Sequence, residues 1–513
     1  MNKFMNGINA MENIITTENG AMAYKSTLTA LYDMFALGGS YRSRSDDDCI
    51  FLFKKAFEEN EPYALKCLFY LRDVRGGQGE RRFFRVCMKW LATQNIDAAK
   101  RNLKYVPEFG RWDDLYLFVG TPCQDEAFKF MKEQLALDIT CKTPSLLAKW
   151  LKSENTSSQE SRDLASKTRR YLGMTSKQYR KTLSTLRERI NVLERLMSAG
   201  KWDEIEFDKI PSRAGFIYKN AFARHDVERA KAGAKTYEDF AKDTTTKVNA
   251  KALYPYECVE KARDVMGCNY SWYSYKTPTT NSVDRLMVNK YWENLADYIN
   301  GAAFNGITIV DTSGSMCSGG YGNRTVAPID VAISIGMYCA EKNRGPYAGH
   351  FLTFNSQPQF MKVEGTDFCD KVARILKAPW GGSTNIEAAF DMILDIAIQN
   401  HCSSDEIPQN LIIISDMEFN SCVTSNSFYR MRSGDNSLFE KMRIKWEAYG
   451  YKMPKLVFWN VDARQDNFAM KDEENVSYVS GFSPVLFEQI MKGKTAQDLM
   501  YDKLNDKRYA CIK

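Results

Sequence analysis

The chain has 513 residues, of which 44% are hydrophobic and 13% aromatic, and its formal net charge is +6. This length exceeds what one hydrophobic core usually serves, so we expect two or three domains. The composition excludes an intrinsically disordered chain, and no run of 18 apolar residues is present that would predict a membrane-spanning helix. The polar N-terminus lacks the pattern of a secretion signal, so we expect a cytoplasmic protein with reduced cysteines.

The first 230 residues have the periodicity of helices. Apolar residues recur at every third or fourth position, for example over Leu28–Phe35 and Leu183–Leu193. Short segments containing glycine or proline separate these runs. We therefore predict an all-helical, repeat-like domain over residues 1–300, with a flexible excursion at 233–249 and a connecting segment at 254–300.

The pattern changes near Asn305, where a β-branched run over Ile307–Val310 leads into Asp311. Apolar strand-like segments then alternate with helical ones, which predicts a parallel sheet covered by helices on both faces. The expected fold class is therefore multidomain, α + α/β, with a doubly wound, Rossmann-like domain over 301–513. The predicted segments after the first strand are helix Ile329–Glu341, strand Gly349–Phe354, helix Asn385–Ile398, strand Leu411–Ser415, helix Ser437–Glu447, strand Lys455–Val461, strand Val476–Val479 and helix Pro484–Met491.

Polar oxygen-bearing residues follow two of these strands. Asp311, Ser313 and Ser315 lie on a tight turn after the first strand, Thr384 precedes a helix, and Asp416 ends a later strand. Ligand sites in such folds lie beyond the carboxyl ends of the strands, and hard oxygen ligands favour Mg²⁺, Ca²⁺ or Mn²⁺. For the first motif alone, the alternative is a capped strand–helix turn.

This set resembles the metal-ion-dependent adhesion site of von Willebrand factor A domains. The resemblance implies that Ser313, Ser315 and Thr384 bind Mg²⁺ directly, and that Asp311 and Asp416 bind it directly or through water. Neutral hydroxyl ligands leave the cation under-neutralised, so it would take an acidic side chain from a protein partner. A metal-dependent hydrolase is the alternative, but no histidine or lysine near these motifs offers a general base.

The two parts of the chain differ in charge. Residues 1–300 contain 48 Lys and Arg against 39 Asp and Glu, whereas residues 301–513 contain 22 against 25. This asymmetry predicts that the two parts bind different partners, and that the basic part is the one to test against phosphate.

Four arginines surround a glycine-rich bend in the basic part, namely Arg72, Arg75, Arg81 and Arg82. Guanidinium groups together with the amides of a helix start suit phosphate. Pairing of Arg72 and Arg75 with Asp73 and Glu80 across a helical hairpin explains the pattern equally well.

A second basic cluster offers the further RNA-binding candidates Arg169, Arg170, Lys177, Arg180 and Lys181. It also contains Arg162, Lys167, Arg187 and Arg189. Tyr171 and Tyr179 lie among these residues and could stack on bases. A solvated, charged helix face is the alternative interpretation.

A family resemblance connects the two parts. Thr17–Ala21, the apolar helix that follows it, Leu37-Gly38, and Arg72-Asp73 with the glycine bend resemble the TROVE module of Ro autoantigen ribonucleoproteins. That family combines a ring of HEAT-like helical repeats with a von Willebrand A domain, and it binds small noncoding RNAs and the ends of misfolded RNAs. The resemblance implies the same order of domains in this chain.

A closer resemblance, covering nearly the whole chain, is to a TROVE-like family of plants, viruses and microbes. The strings that carry it are Arg72–Arg82, Tyr105–Asp114, Ser145–Trp150, Lys209–Ala214, Tyr254–Glu257 and Ser415–Phe419. We therefore expect a non-enzymatic, Ro-like protein that binds a small or structured RNA and recruits an acidic protein partner through Mg²⁺. The alternative is a metal-dependent protein–protein scaffold without RNA.

Overall fold

The structure is a computed structural model. It describes residues 12–251, 253–268, 282–317, 326–355, 357–377, 384–420, 438–470, 475–491 and 495–513. Its contacts divide the chain into a sheet unit, Met1–Ala64 with Leu253–Asn505, and a helical unit, Leu65–Ala252 with Asp506–Lys513. This grouping differs from the division expected at residue 300. Met1–Ala64 belongs to the sheet unit and Asp506–Lys513 to the helical unit because of contacts between segments that are distant in sequence. Local periodicity does not encode such contacts.

The sheet unit contains a hairpin and a six-stranded sheet. The hairpin pairs β1 (Ile14–Thr16) with β2 (Met22–Tyr24) in antiparallel orientation. The sheet strands are β3 (Gly306–Asp311), β4 (His350–Phe354), β5 (Gln359–Lys362), β6 (Asn410–Ser415), β7 (Lys455–Asn460) and β8 (Val476–Ser480). Their spatial order is β5-β4-β3-β6-β7-β8, and all neighbours are parallel except β4 and β5.

The strand order places a crevice at the carboxyl ends of β3 and β6. From β3 the chain continues outward to β4 and β5 on one side, and it then returns to β6, β7 and β8 on the other. Such a reversal is the point at which open α/β sheets bind ligands. The buried strands expected from their apolar runs are confirmed. The antiparallel edge strand β5 was not predicted, because its alternating burial gives no continuous apolar run.

Helices accompany the sheet, and the segment expected as a connector contributes two of them. The helices Pro255–Met266 and Ser282–Glu293 pack against Phe368–Ile375, and the first of them also packs against Pro328–Lys342. These residues therefore belong to the core of the sheet unit. The other helices of this unit are Ala30–Leu37, Asp46–Glu59, Gly314–Cys317, Ile386–Gln399, Leu438–Ala448, Leu486–Ile490 and Ala496–Leu504.

The helical unit confirms the expected all-helical character of its part of the chain. The helix Glu61–Arg72 begins in the sheet unit and ends in this one. Within 233–249, expected as a flexible excursion, the helix Tyr237–Lys242 begins at a side-chain cap from Thr236. The other α-helices among the described residues of this unit are Arg82–Gln94, Ile96–Leu103, Val106–Phe109, Gln124–Thr140, Leu147–Trp150, Gln159–Leu172, Ser176–Arg189, Leu193–Ser198, Ser212–Arg224 and Asp226–Lys231.

Two expectations from the sequence concerned membrane-spanning helices and the state of the cysteines. No helix within the described residues is long and apolar enough to cross a membrane. Twelve cysteines lie in the described part of the chain and all are free thiols. Cys67, Cys87 and Cys339 are buried, as their apolar surroundings in the sequence predict.

Candidate metal centre and candidate nucleic-acid cleft

The two predicted carboxylate ligands lie at the crevice between β3 and β6. The Asp311 side chain is fully buried, and its carboxylate accepts hydrogen bonds from the Ser313 amide at 2.9 Å and the Ser415 hydroxyl at 2.5 Å. Burial and the nearby Asp416 carboxylate hold the pKa of Asp311 well above its usual range. The structure therefore brings the Asp311 and Asp416 carboxylates close together at the carboxyl ends of β3 and β6.

The predicted hydroxyl ligands belong to the same edge of the sheet. The Ser313 and Ser315 hydroxyl oxygens lie 3.0 Å apart on the turn after β3. Thr384 is buried before the helix Ile386–Gln399, and its carbonyl accepts the amide of Asn420 at 3.2 Å. This hydrogen bond connects the threonine to the segment that follows β6.

The donor set suits a hard divalent cation. Its atoms are carboxylate and hydroxyl oxygens, the ligands that Mg²⁺, Ca²⁺ and Mn²⁺ prefer. In the described part of the chain, no group of three or more His, Cys, Asp or Glu side chains is placed to hold a metal ion. A cation at this edge would therefore depend on the serine and threonine hydroxyls in addition to the two carboxylates.

Two further side chains at this edge were not predicted. Arg464 donates to Asp416 Oδ2 at 2.6 Å. Glu418 is fully buried, accepts from Asn467 at 2.9 Å, and has a pKa raised to about 7, chiefly by burial. Glu418 lies in the Ser415–Phe419 string that carries the family resemblance, whereas no sequence pattern marks Arg464. Met417, between the two acidic residues, has a φ of 67°, a left-handed conformation that non-glycine residues rarely adopt.

Arg72, the first residue of the first arginine cluster, is buried and structural. Arg72 is only 2% exposed, and it donates to Asp114 Oδ2 at 2.6 Å. It does not pair with Asp73, whose carboxylate instead accepts from Arg508 at 2.7 Å. Neither interpretation from the sequence describes this residue, because its partner Asp114 lies 42 positions away. Arg72 is not accessible to an RNA phosphate in this conformation.

The other members of this cluster are more exposed than Arg72. Arg81 donates to Asp113 at 2.8 Å and to Asp114 at 2.9 Å. Arg75 donates to the Glu108 carbonyl at 2.7 Å, and Arg82 begins the helix Arg82–Gln94. Burial alone would raise the pKa of Asp114, but Arg72 and Arg81 hold it below its usual range.

The second basic cluster is more accessible. Arg170, Lys177, Arg180 and Lys181 are exposed on the helices Gln159–Leu172 and Ser176–Arg189. Arg169 instead donates to Glu154 at 2.8 Å. Of the predicted RNA-binding residues, only Arg180 lines the cavity described below.

Neither aromatic residue of this cluster is placed for base stacking as predicted. Tyr179 is 1% exposed, and its hydroxyl donates to the Lys152 carbonyl at 2.7 Å. Tyr171 stacks on Phe128 with ring centroids 4.4 Å apart. The Tyr179 ring is therefore buried, and one face of the Tyr171 ring, which is 37% exposed, is covered by Phe128.

A cavity of about 1030 Å³ opens within the helical unit. Two acidic and six basic side chains line it, together with the half-buried aromatic residues Trp150 and Tyr218 and the buried Tyr179. The basic side chains are Arg111, Lys149, Arg180, Arg187, Arg195 and Arg213. Leu146 and Ile217 are 51% and 71% exposed at its wall, so the cavity combines positive charge with accessible apolar surface.

Several cationic groups of the cavity are fixed by neighbours. The Arg111 guanidinium lies 4.1 Å from the centre of the Trp150 ring and pairs with Asp113. Arg187 donates to the Ala148 and Leu151 carbonyls, both at 2.9 Å. These contacts hold the cavity wall in shape.

Three of the strings that carry the family resemblance meet at this cavity. Tyr105–Asp114 contributes Arg111, Ser145–Trp150 contributes Lys149 and Trp150, and Lys209–Ala214 contributes Arg213. Since they are separated by up to about a hundred positions in the sequence, only the fold shows that they share one site.

The division into units sharpens the charge asymmetry. The helical unit contains 40 Lys and Arg against 25 Asp and Glu, a formal net charge of +15. The sheet unit contains 30 against 39, a formal net charge of −9. The asymmetry read from the two halves of the sequence is therefore larger when the chain is divided by its contacts.

Comparisons with known proteins place the chain in a family. Two family models, each described as a domain of unknown function, match it: DUF2828 over residues 17–145 and 136–303, and DUF7788 over residues 305–509. A protein of Acanthamoeba polyphaga mimivirus, described as uncharacterised, is 32% identical over 524 residues, covering 94% of this chain and 86% of that protein. Among solved structures, the RO (RSR) protein of Deinococcus radiodurans gives a TM-score of 0.45 at 14% identity, over 93% of this chain and 99% of that one. The viral relative agrees with the expected family resemblance along nearly the whole chain, and the chain belongs to the DUF2828 family.

Proposed function

We propose that the protein binds RNA in the cavity of the helical unit. The observation that carries the proposal is the basic, partly apolar lining of this cavity within a unit of formal net charge +15. Lysine and arginine attract phosphates and release counterions on binding. Exposed apolar and aromatic side chains accept unstacked bases, which favours single-stranded segments of an RNA over a regular duplex.

Two of the cationic groups are suited to contact phosphate. Lys149 is half-buried and Arg180 is exposed, and neither forms a salt bridge to an acidic side chain within the described residues. Arg111 and Arg187, in contrast, already hold protein groups. Lys149 and Arg180 are therefore the residues whose reversal should weaken binding with the least damage to the fold.

Ultraviolet crosslinking to a labelled single-stranded RNA, followed by mass spectrometry of the peptides, tests the location. We expect crosslinks on peptides containing Trp150 and Tyr218, which line the cavity. Crosslinks confined to the sheet unit, or none above background, would refute the proposal.

For the sheet unit we propose a von Willebrand A-like role without enzymatic activity. Asp311, Ser313, Ser315, Thr384 and Asp416 would hold Mg²⁺, or Ca²⁺ or Mn²⁺ in its place, and the cation would bind an acidic side chain. The Ser313 and Ser315 hydroxyls, 3.0 Å apart, and the Asp311 and Asp416 carboxylates lie at the switch point of the sheet, which supports this.

Thermal unfolding with and without Mg²⁺ tests this centre. The double variant Asp311→Ala/Thr384→Ala should lose the Mg²⁺-dependent rise in Tm, because ligand binding stabilises only the state that holds the site. Asp370→Ala/Thr366→Ala removes the same residue types from an exposed helix start, so it should retain the wild-type response. An equal response in both double variants would exclude this site.

A second candidate is a metal-dependent protein scaffold without RNA. The same oxygen cluster favours it, since that cluster is independent of the basic cavity. Retained Mg²⁺ stabilisation in a protein that shows no RNA crosslinks would decide for the scaffold.

A further inference from the structure

The turn Thr17–Gly20, which joins β1 and β2, lies on the candidate metal centre. Asn19 Nδ2 donates to the Thr384 hydroxyl at 3.3 Å and to the Glu418 carbonyl at 2.6 Å. The amide of Glu18 donates to the Glu418 carboxylate at 2.7 Å. The N-terminal segment therefore contacts the predicted ligand Thr384 directly. It also binds Glu418, which lies two residues after the predicted ligand Asp416.

An arginine connects this turn to the second carboxylate ligand. One guanidinium nitrogen of Arg464 donates to Glu18 Oε2 at 2.7 Å, and another donates to Asp416 Oδ2 at 2.6 Å. The Glu18 side chain is 43% exposed, whereas that of Asp416 is 1% exposed. The Arg464 guanidinium thus links the accessible carboxylate of Glu18 to the buried carboxylate of Asp416.

We propose that Glu18 is an intramolecular carboxylate ligand for the cation at this centre, and that the Thr17–Gly20 turn thereby closes the centre to acidic partners. This inference rests on the proposed cation site of the sheet unit. Serine and threonine hydroxyls are neutral, so a divalent cation bound by them still attracts an anionic oxygen. Glu18 offers that oxygen from within the chain.

The arrangement around Arg464 supports this role. Its guanidinium is the positive charge between Glu18 and Asp416, and a divalent cation carries twice that charge in a smaller volume. Such a cation would replace the guanidinium as the partner of both carboxylates. The hydrogen bonds from Asn19 to Thr384 and Glu418 would keep the neighbouring Glu18 next to the centre while the cation replaces the guanidinium.

An external acidic partner would then compete with a group already at the centre. The competing turn is part of the same chain, so its effective concentration is high. The centre would open to a partner only when the turn is displaced.

Mn²⁺ binding to the full-length protein, followed by the paramagnetic resonance signal of free Mn²⁺, tests the inference. We expect Glu18→Gln to weaken Mn²⁺ binding about tenfold, because the number of charged ligands sets affinity at such sites. Glu12→Gln makes the same change at another exposed position of the N-terminal segment, and it should bind like the wild type. Asp311→Ala should abolish binding.

Wild-type affinity in Glu18→Gln, with binding lost in Asp311→Ala, would overturn the inference and leave the cation site standing. Equal binding in the wild type and Asp311→Ala, or none in either, would overturn the cation site and the inference together. Hydrogen exchange gives a second readout that does not need a variant of the turn. We expect Mn²⁺ to slow exchange of the Glu18 amide in the wild type but not in Asp311→Ala, and unchanged exchange in the wild type would also overturn the inference.

Discussion

The buried pair between Arg72 and Asp114 explains the glycine at position 110. Both side chains are buried, and a Cβ at Gly110 would lie 2.6 Å from Asp114 Oδ2 and 2.7 Å from Arg72 Nε. The absence of a side chain at Gly110 therefore lets the chain pass against the ion pair. Charge reversal at Arg72 would test folding and would say little about RNA.

Asp114→Asn should destabilise the helical unit strongly. Removing one partner of a buried ion pair leaves the other charge unpaired, which costs about 3–5 kcal/mol. Urea unfolding measures this loss. Asp163→Asn, at an exposed position that accepts a bond from Gln159, should change the free energy of unfolding by less than about 0.5 kcal/mol. Similar small effects at both positions would contradict the structural role of Asp114.

At the scale of elements, Thr17 attaches the hairpin of β1 and β2 to the segment that follows β6. The Thr17 hydroxyl donates to the Phe419 carbonyl at 2.7 Å and accepts the Ala21 amide at 2.9 Å, and the side chain is 5% exposed. Both bonds are buried. They connect the turn to the segment that follows β6.

Thr17→Val keeps the shape of the side chain and removes both hydrogen bonds. We expect a loss of about 1–3 kcal/mol, the cost of leaving buried polar groups unsatisfied, and faster hydrogen exchange in β2. Thr16→Val makes the same substitution at the neighbouring, exposed position of β1, where it should have little effect. Equal exchange rates in the two variants would show that Thr17 does not anchor the hairpin.

The elements with strong apolar patterns were predictable from the sequence, and those stabilised by distant contacts were not. The continuous runs Ile307–Val310 and Leu411–Ser415 predicted the buried strands β3 and β6, and the residues that end them predicted the location of the candidate metal centre. The hairpin and β5 are short and partly exposed, so their formation depends on neighbours distant in sequence. Arg464 likewise reaches Asp416 from a distant part of the sequence, so its place at the centre could not be predicted from a local pattern.

At the scale of the whole molecule, opposite charge is concentrated in different units. The helical unit carries +15 and the sheet unit −9, although the net charge of the whole chain is only +6. A basic unit attracts polyanions, and an acidic one attracts cations and repels nucleic acid. This division agrees with RNA binding in one unit and cation binding in the other.

The most direct test of RNA binding in the cavity is the salt dependence of the Kd for a labelled single-stranded RNA, measured from roughly 50 to 200 mM salt. The wild type should lose affinity steeply, and Lys149→Glu/Arg180→Glu should bind more weakly, with a logarithmic salt slope shallower by about two, one for each phosphate contact removed. Lys129→Glu/Lys132→Glu makes the same change in net charge at exposed positions of the helix Gln124–Thr140, and it should largely retain the wild-type slope. The same slope in both double variants, or no binding by the wild type at low salt, would contradict RNA binding in this cavity.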